Sequence, residues 1–317
     1  MRVLLTGAAG FIGSSVAERL VGRGDEVVGL DNFDPFYDRR LKERNLAALR
    51  GAPAFRLVEG ELLDAGLLER LLAGVDAVVH LAALAGVRPS LAEPARYMRV
   101  NVEGTTTLLE ACRRAGVPRL VVASSSSVYG ARSRVPFSET DSCDRPASPY
   151  AASKKATETV CATYHDLCGA GVSCLRYFTV YGPRQRPEMA IHHFVRLALA
   201  GRPLPMFGDG SSGRDYTFID DIVDGTVAAL DRVAADSFRI YNLGGSRPVL
   251  LRELLDAIER TVGCPIRIEA HPEQPGDVPI TCADVSLAER ELGYSPRVRL
   301  EEGLARFVAW YRAQVPL

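Results

Sequence analysis

The stretch Gly7-Ala8-Ala9-Gly10-Phe11-Ile12-Gly13 decides the fold. It follows a short apolar run at 3–5 and opens a segment with helical periodicity at 11–22. Glycines at this spacing permit a tight turn and let backbone N–H groups, together with the positive end of a helix, approach a pyrophosphate. Glycine-rich turns are common, so it is the position between a strand and a helix that makes this one a predicted phosphate-binding turn.

Apolar runs and helical stretches alternate along the first half of the chain. This alternation is typical of a doubly wound parallel sheet, in which ligands bind at the carboxyl ends of the strands. We therefore predict an α/β fold, with a Rossmann-type doubly wound parallel sheet and a smaller C-terminal lobe. The predicted strands are 3–5, 26–30, 55–58, 77–80, 120–123 and 172–175, and the predicted helices are 11–22, 65–72, 95–115 and 150–168.

Proline and glycine become dense after about residue 178, where the regular alternation ends. We predict a cofactor-binding domain at 1–178, which also takes in about 216–242, and a smaller ligand-closing lobe made mainly of 179–317. In this second part the predicted helices are 191–200, 221–230, 251–262 and 300–311, and the predicted extended runs are 216–219 and 266–269.

An acidic residue follows the second predicted strand, in Leu30-Asp31-Asn32. In a dinucleotide-binding fold, a carboxylate at this place accepts hydrogen bonds from the adenosine ribose hydroxyls. It also repels a 2′-phosphate, so we predict NAD rather than NADP as the cofactor. Two alternatives stay open, since Asp31 could simply cap the next turn and the cations Arg39 and Arg40 follow closely.

The stretch Ser148-Pro149-Tyr150-Ala151-Ala152-Ser153-Lys154 predicts the start of a helix, with Ser148 as its cap and Pro149 in the first turn. Tyr150 and Lys154 then lie one helical turn apart on the same face. We expect the ammonium of Lys154 to lower the pKa of the phenol, which makes Tyr150 a candidate acid and base. The alternative is an ordinary surface pair, which is common on helices.

Four consecutive serines, Ser124-Ser125-Ser126-Ser127, end another predicted buried strand. Hydroxyl groups at the carboxyl end of a sheet strand face the ligand crevice. A polar loop that merely caps the strand is the alternative, but four serines running into Val128-Tyr129-Gly130 make a poor generic turn. The serines are therefore candidate ligand-binding residues.

The composition argues against several classes of function. With 38 Lys and Arg against 39 Asp and Glu, the formal net charge is −1, so nothing global favours nucleic acid or a membrane surface. We find no signal-peptide pattern and no apolar run near the roughly 20 residues of a membrane span. The seven cysteines are scattered and form no CxxC pair or Cys/His cluster, so we expect reduced thiols, a cytoplasmic protein and no metal.

Together these motifs resemble the extended short-chain dehydrogenase/reductase family. The resemblance runs from residue 3 to about 295 and includes HLAA at 80–83 and RDYTFIDD at 214–221. It implies bound NAD and catalysis by Tyr150, its partner Lys154 and the hydroxyl of Ser125. The cofactor-binding residues that it implies are Gly7, Gly10, Phe11, Ile12, Gly13, Asp31, Asn32, Glu61, Leu62, Leu81, Ala82, Ala83, Tyr150 and Lys154.

One stretch departs from the family pattern. Gly60-Glu61-Leu62 stands where the family has Gly-Asp-Ile, beside the adenine. A glutamate still accepts a hydrogen bond from the adenine amine, but its longer side chain has to fold differently. The resemblance therefore leaves the cofactor unchanged and predicts a local difference in geometry.

Within the family, the chain is most similar to the UDP-glucuronate 4-epimerases, on HLAALAGVRPS at 80–90, SSSSVYG at 124–130 and FTVYGPRQRPEMA at 178–190. The similarity implies that carbon 4 of a UDP-sugar is oxidised, and that the ketone turns over and is reduced on its other face. It also implies that Arg186 grips the sugar carboxylate, Arg214 the diphosphate and Asp277 the uridine ribose. The implied substrate-binding residues are Arg88, Ser125, Ser126, Ser127, Thr179, Arg186, Arg214 and Asp277.

Several alternatives to this activity stay open. Related dehydratases carry Asp-Glu, and related decarboxylases a Glu, at the positions that Ser126 and Ser127 occupy here. A 4-epimerase of UDP-glucose or UDP-N-acetylglucosamine, a UDP-glucuronate decarboxylase and a non-enzymatic NAD-binding sensor remain candidates, and Arg186 could be an ordinary loop arginine. Relatives pair two long helices across a two-fold axis, so the resemblance implies a homodimer.

Overall fold

The structure, a computed structural model, describes residues 1–132, 134–273 and 278–314. Its strands are β1 Arg2–Thr6, β2 Glu26–Asp31, β3 Phe55–Glu59, β4 Ala77–His80, β5 Arg119–Ser125, β6 Gly171–Tyr177, β7 Thr179–Tyr181, β8 Leu204–Phe207, β9 Gly213–Phe218, β10 Phe238–Leu243, β11 Pro248–Leu250 and β12 Ile268–His271. Seven of these form one parallel sheet, in the order β10-β6-β5-β4-β1-β2-β3.

The α-helices are α1 Phe11–Gly22, α2 Arg39–Asn45, α3 Ala65–Leu72, α4 Val87–Ala92, α5 Pro94–Met98, α6 Gly104–Ala115, α7 Pro149–Cys168, α8 Ala190–Leu199, α9 Ile219–Arg232, α10 Leu251–Val262, α11 Ser286–Leu292 and α12 Leu300–Gln314. Helices cover both faces of the large sheet, whereas α8, α10 and α12 pack against one another and against the smaller sheets. A π-helical turn, Arg99–Glu103, joins α5 to α6.

The side chains of β1 alternate between two buried clusters. Val3 and Leu5 pack with α1 and α9 on one face, and Leu4 packs with α3, α6 and α7 on the other. A parallel strand that is covered on both faces is apolar at every position, and all three side chains are 0% exposed. The predicted fold class is confirmed, and each predicted strand of the sheet lies within two residues of its predicted ends.

The segment predicted as one helix at 95–115 is helical throughout, but residues 99–103 in its middle form a π-helical turn between α5 and α6. The wider turn carries Asn101, whose side-chain amide donates to the carbonyl of Leu84 (2.9 Å) and to Ser153 Oγ (2.9 Å). Its side-chain oxygen accepts from the N–H of Leu84 at 2.8 Å. Turns of this kind are frequent at functional sites. Here the turn fastens the loop that follows β4 to helix α7.

Strand β10, helix α2 and helix α4 are missing from the sequence-based prediction of the cofactor-binding domain. Strand β10 extends the sheet beyond β6, although its alternation is broken by polar residues. Helix α2, with the sequence RRLKERN, has the composition of a solvated segment, yet it buries Lys42 and Asn45. The amide of Asn45 donates to the carbonyl of Ala9 in the glycine turn at 3.0 Å. These partners are distant in sequence, so local pattern does not report them.

Two small sheets, β11-β9-β7 and β12-β8, are separate from the large sheet, and we refer to them, with helices α8, α10 and α12 and the loop between β7 and α8, as the second lobe. A buried carboxylate, Asp215 on β9, joins this lobe to the end of the large sheet. It accepts N–H groups from Gly245 (2.6 Å), Ser246 (3.1 Å) and Ala283 (2.8 Å). Gly245 and Ser246 follow closely after β10, the edge strand of the large sheet. Their hydrogen bonds to Asp215 therefore connect the large sheet to the second lobe.

A buried ion pair lies between β6 and α7. Arg176 donates to both oxygens of Glu158, from Nε at 2.8 Å and Nη2 at 2.9 Å. Ser124, at the end of β5, donates to the same carboxylate at 2.6 Å, and Arg176 also donates to the hydroxyl of Tyr129 at 3.0 Å. Both charged residues are 1% exposed. The pair therefore sets the position of helix α7 against the carboxyl ends of β5 and β6.

We predict that Glu158→Gln lowers the free energy of unfolding by about 3 kcal/mol, because it leaves a buried guanidinium without its counter-charge. Burial alone raises the pKa of Glu158, but its hydrogen bond to Arg176 and the charge of Arg176 outweigh burial and lower it. The contribution is thus complete above the ordinary carboxyl pKa and is lost as pH falls through the lowered one. Urea unfolding at several pH values measures this, with the exposed Glu302→Gln as control.

Candidate cofactor and substrate site

One cavity of about 990 Å³ opens at the carboxyl ends of the central strands. It is bounded by the glycine turn, the end of β5, the first turn of α7 and the second lobe. Every predicted site residue that the structure describes lines it, whereas Asp277 lies outside the described residues and its neighbour Val278 is in the lining. The set is Gly7, Gly10, Phe11, Ile12, Gly13, Asp31, Asn32, Glu61, Leu62, Leu81, Ala82, Ala83, Arg88, Ser125, Ser126, Ser127, Tyr150, Lys154, Thr179, Arg186 and Arg214.

The glycine turn is tight enough to require its glycines. Gly7 has φ +72°, and a Cβ there would lie 2.8 Å from the backbone nitrogen of Ala82. A Cβ on Gly13 would lie 2.0 Å from the carbonyl oxygen of Gly7, so any side chain would push the turn away from helix α1. The first turn of α1 therefore stays close to the end of β1, with its N–H groups at the cavity, as a bound pyrophosphate needs.

Asp31, at the end of β2, is oriented by the protein before any ligand reaches it. It accepts the N–H of Ala9 at 3.0 Å and that of Phe33 at 2.8 Å, and the ammonium of Lys42 lies 3.5 Å away. The residue thus caps the turn that follows it and also lines the cavity. Lys42 is a contact that sequence reasoning missed, because nothing in the local pattern of α2 distinguishes it from a surface lysine.

Glu61, the departure from the family pattern, is held by Asn32. The amide nitrogen of Asn32 lies 3.1 and 3.3 Å from the two carboxylate oxygens of Glu61. Both side chains line the same end of the cavity as Asp31. The longer side chain of Glu61, which follows β3, is therefore held by Asn32, which follows the neighbouring strand β2.

Tyr150 stands in the first turn of α7, which begins as expected with Ser148 accepting the N–H of Ala151 at 3.1 Å. Burial raises the pKa of Tyr150, and a hydrogen bond with Ser125 and the charge of Arg186 only partly oppose this. The expectation that Lys154 lowers the pKa of the phenol is wrong. Burial raises this pKa, and the groups that oppose burial are Ser125 and Arg186 rather than Lys154.

Lys154 shares a helix face with Tyr150, but its ammonium donates to the carbonyl of Ala123 at 2.7 Å. Burial lowers its own pKa to about 8. Helical spacing brings the two side chains to one face, yet the lysine hydrogen-bonds at the end of β5 and the phenol interacts with Ser125 and Arg186. The charge that acts on the phenol thus comes from the second lobe.

His80 is a further buried residue next to this site. Its ring nitrogens lie 2.7 Å from Thr6 Oγ1 and 3.0 Å from Thr105 Oγ1, which joins β1, β4 and α6 beneath the glycine turn. Burial and the nearby ammonium of Lys154 lower its pKa to about 3. The imidazole is therefore neutral, and its position indicates support of the turn rather than acid–base chemistry.

Arg186 brings positive charge to the cavity from the loop that follows β7. Its side chain is 20% exposed, its Nε lies 3.1 Å from a carboxylate oxygen of Glu188, and its guanidinium lies over the ring of Phe36, 5.5 Å from the centroid. Arg214 donates to the carbonyls of Gly213 (2.8 Å) and Val278 (2.6 Å). The cavity thus has a carboxylate at its cofactor end and cations toward the second lobe.

The described residues contain no group of His, Cys, Asp and Glu side chains arranged to hold a metal ion. Among the same residues, no helix is both long and apolar enough to cross a membrane. All seven cysteines carry free thiols.

These features define the class of protein. The sequence profile of the NAD-dependent epimerase/dehydratase family matches residues 3–244. The chain belongs to this family, and its cofactor is NAD. The glycine turn and the oriented carboxylate of Asp31 agree with that cofactor.

Individual proteins similar to this chain include several UDP-glucuronate 4-epimerases. The chain is 43% identical to UDP-glucuronate 4-epimerase 4 of Arabidopsis thaliana, across 98% of this chain and 75% of that protein. It is 42% identical to the probable UDP-glucuronate 4-epimerase of Rhizobium meliloti (strain 1021), across 98% of this chain and 97% of that protein. The structure of the Bacillus cereus UDP-glucuronic acid 4-epimerase with UDP-glucuronic acid and NAD superposes with a TM-score of 0.94 at 36% identity, covering 99% and 100% of the two chains.

We predict that Gly13→Ala sharply lowers the amount of NAD that co-purifies with the protein, because the new methyl would collide with the carbonyl of Gly7. Gly22→Ala, in the last turn of the same helix, is the matched control, since no described atom beyond its chain neighbours and the nearby backbone of its own helix lies within 4 Å of the added methyl. NAD released by acid and counted per chain measures the effect. Full occupancy in Gly13→Ala would contradict the role of the turn.

Proposed function

We propose that this protein is a UDP-glucuronate 4-epimerase that interconverts UDP-glucuronate and UDP-galacturonate through a transient 4-ketone. The observation that carries the proposal is that Arg186 and Tyr150 line the same cavity, where the guanidinium charge partly opposes the rise in the phenol pKa that burial causes. A cation for the sugar carboxylate thus lies beside the group that exchanges the proton of the neighbouring carbon. The similar epimerases from Arabidopsis thaliana and Bacillus cereus support the same substrate.

The protein's residues handle the proton at the 4-hydroxyl. Tyr150 takes this proton during oxidation and returns it after the ketone has turned over, with Ser125 hydrogen-bonding to both phenol and sugar oxygen. NAD, when bound, accepts hydrogen with its electron pair from carbon 4 and later gives it back, so no net oxidation occurs. Burial disfavours the phenolate, and Ser125 and Arg186 both favour it. Sugar-acid binding and proton transfer thus depend on the same guanidinium.

The serines at the end of β5 favour epimerisation over the dehydration and decarboxylation that related enzymes catalyse. Ser127 donates to the hydroxyl of Ser125 at 2.9 Å, and neither Ser126 nor Ser127 supplies a carboxylic acid to assist dehydration or decarboxylation. The fold alone does not separate these chemistries, because a dTDP-glucose 4,6-dehydratase from Streptomyces venezuelae superposes with a TM-score of 0.92. The assignment therefore depends on side chains.

The direct experiment is incubation of the purified protein with UDP-glucuronate, without added cofactor, followed by separation of UDP-galacturonate, UDP-pentose and starting material. We expect UDP-galacturonate. UDP-pentose with carbon dioxide would indicate a decarboxylase. Turnover of UDP-glucose or UDP-N-acetylglucosamine alone would indicate a neutral-sugar epimerase, and no conversion of any of them would favour a sensor.

The remaining predicted positions complete the proposed site. Arg88 and Arg214 contribute positive charge for the diphosphate and the sugar acid, Thr179 adds a hydroxyl at the start of β7, and Asp277 holds the uridine ribose. We place the cofactor on residues 1–178 together with about 216–242, and the sugar nucleotide mainly on the remainder. The pairing of β10 with β6 supports that division.

We also propose a homodimer formed through α6 and α7. Exposed apolar side chains near these helices, Met98 at 38% and Leu167 at 76%, support it. Sedimentation that gives the mass of one chain at working concentration would contradict the dimer. The free thiols support a reducing, cytoplasmic location, which localisation of a tagged chain would test.

We predict that Tyr150→Phe reduces epimerisation at least about a hundredfold while NAD stays bound, because the phenyl ring keeps the shape and loses the acid–base group. Tyr97→Phe is the matched control: its ring meets that of Tyr150 edge to face at 6.2 Å, and its hydroxyl donates to a backbone carbonyl. Product formation and bound NAD are measured together. Normal activity in Tyr150→Phe would place the base elsewhere.

We predict that Arg186→Ala lowers kcat/KM for UDP-glucuronate about a hundredfold with little change in inhibition by UDP, because the sugar acid and the phenolate lose a stabilising charge while the contacts to UDP remain. Arg186→Lys should recover little, since an ammonium cannot bind a carboxylate bidentately. Arg184→Ala is the control. Arg184 lies on the same loop as Arg186, and its replacement breaks a 2.7 Å ion pair with Glu18 of helix α1. An unchanged kcat/KM in Arg186→Ala would rule out the grip on the carboxylate.

A further inference from the structure

We infer that Phe36 and Glu188 are positioning residues that set the orientation of Arg186, and thereby decide whether the 4-keto sugar acid is epimerised or loses carbon dioxide. This inference rests on the proposed function. It assigns a role to Phe36, which lies outside the quoted motifs, and to Glu188, which lies within one of them but has no role there.

The guanidinium of Arg186 is held on its face and on one edge. Its carbon centre lies 5.5 Å from the centroid of the Phe36 ring, within the range of a cation–π contact. Its Nε lies 3.1 Å from Glu188, and Nη2 lies 3.5 Å from the sulfur of Met189. With Nε paired to Glu188, the Nη groups are the ones that a sugar carboxylate meets. Phe36 sets the plane of the guanidinium, and Glu188 sets its rotation within that plane.

Phe36 is itself rigidly placed. Its N–H donates to Asp34 at 3.0 Å, and the N–H of Asp34 donates to Asn32 at 3.0 Å, so two successive side-chain-to-backbone turns shape the loop. Asp34 is also paired with Arg96 of helix α5 at 2.6 Å. The loop begins directly after Asp31, at the predicted cofactor end of the cavity. The ring therefore reaches Arg186 from the cofactor-binding lobe, while Glu188 reaches it from the second lobe.

The loop that carries Arg186 is anchored as well. The side chain of Gln185 donates to the carbonyl of Val180 at 2.9 Å and accepts the N–H of His192 at 3.1 Å. Both ends of the contact between Phe36 and Arg186 are thus fixed by the backbone around them, which leaves little freedom in the direction of the guanidinium.

Direction matters because the oxidised substrate is a β-keto acid. If its carboxylate turns perpendicular to the ketone, the bond from carbon 5 to the carboxyl carbon breaks and carbon dioxide leaves. The electron pair of that bond forms the enolate, and carbon 5 then takes a proton. The resulting 4-keto pentose is reduced to UDP-pentose by the NADH made in the first step, or it leaves and the NADH remains. A guanidinium held in one orientation keeps the carboxylate out of that alignment.

The test is the ratio of carbon dioxide released to UDP-galacturonate formed, measured with carboxyl-labelled UDP-glucuronate. We expect Phe36→Leu to raise this ratio about tenfold and to lower kcat/KM for UDP-glucuronate by a similar factor, with inhibition by UDP unchanged. Phe36→Tyr keeps an aromatic face and should restore the wild-type ratio. Because the ratio is formed within each turnover, a smaller folded fraction does not alter it.

Glu188→Ala provides an independent second variant and should also raise the ratio, even where Phe36→Leu does not fold. Glu18→Gln is the matched control, since it removes the charge that pairs with the other arginine of the loop and should leave the ratio unchanged. A wild-type ratio in both Phe36→Leu and Glu188→Ala would overturn this inference alone. Absence of UDP-galacturonate from the wild-type protein would instead overturn the proposed function.

Discussion

The buried pair of Arg176 and Glu158 is the interaction on which the geometry of the site depends. It joins the last residues of β6 to the middle of α7, and Ser124 at the end of β5 donates to the same carboxylate. The two elements that carry Ser125 and Tyr150 are therefore fixed relative to each other by one charged contact. A buried ion pair adds little net stability over a well-packed apolar pair, but it is strongly directional. Ser125 and Tyr150 must keep a fixed relative position to hydrogen-bond and transfer a proton, and a directional contact provides that.

The charges around the cavity explain how an almost neutral protein can bind a polyanion. Asp31 is held by backbone N–H groups and Lys42, and Arg186 lines the same cavity. Burial raises the pKa of the Tyr150 phenol, so proton transfer depends on groups that stabilise the phenolate. One of these groups comes from the second lobe. Closure of that lobe over a sugar acid would therefore couple substrate recognition to chemistry.

The same architecture serves epimerases and dehydratases, as the superpositions with both kinds of enzyme indicate. Since the fold is shared, side chains must distinguish them, and for this chain we propose those at the end of β5, at the start of β7 and in the loop of Arg186. In this chain those side chains are hydroxyls and a guanidinium. The guanidinium is held by an aromatic ring from one lobe and a carboxylate from the other, so its direction belongs to the assembled fold.

The sequence by itself determined the parallel sheet, the glycine turn, the start of α7 and the grouping of the candidate residues. These follow from patterns within a few residues: continuous apolar runs for strands buried on both faces, and glycines where a Cβ would collide. Only the tertiary structure decided that Lys154 bonds to Ala123 while Arg186 acts on the phenol, that Lys42 and Asn45 are buried, and that Phe36 contacts Arg186. The partners in these contacts come from different elements, and a contact between distant segments leaves no local period in the sequence.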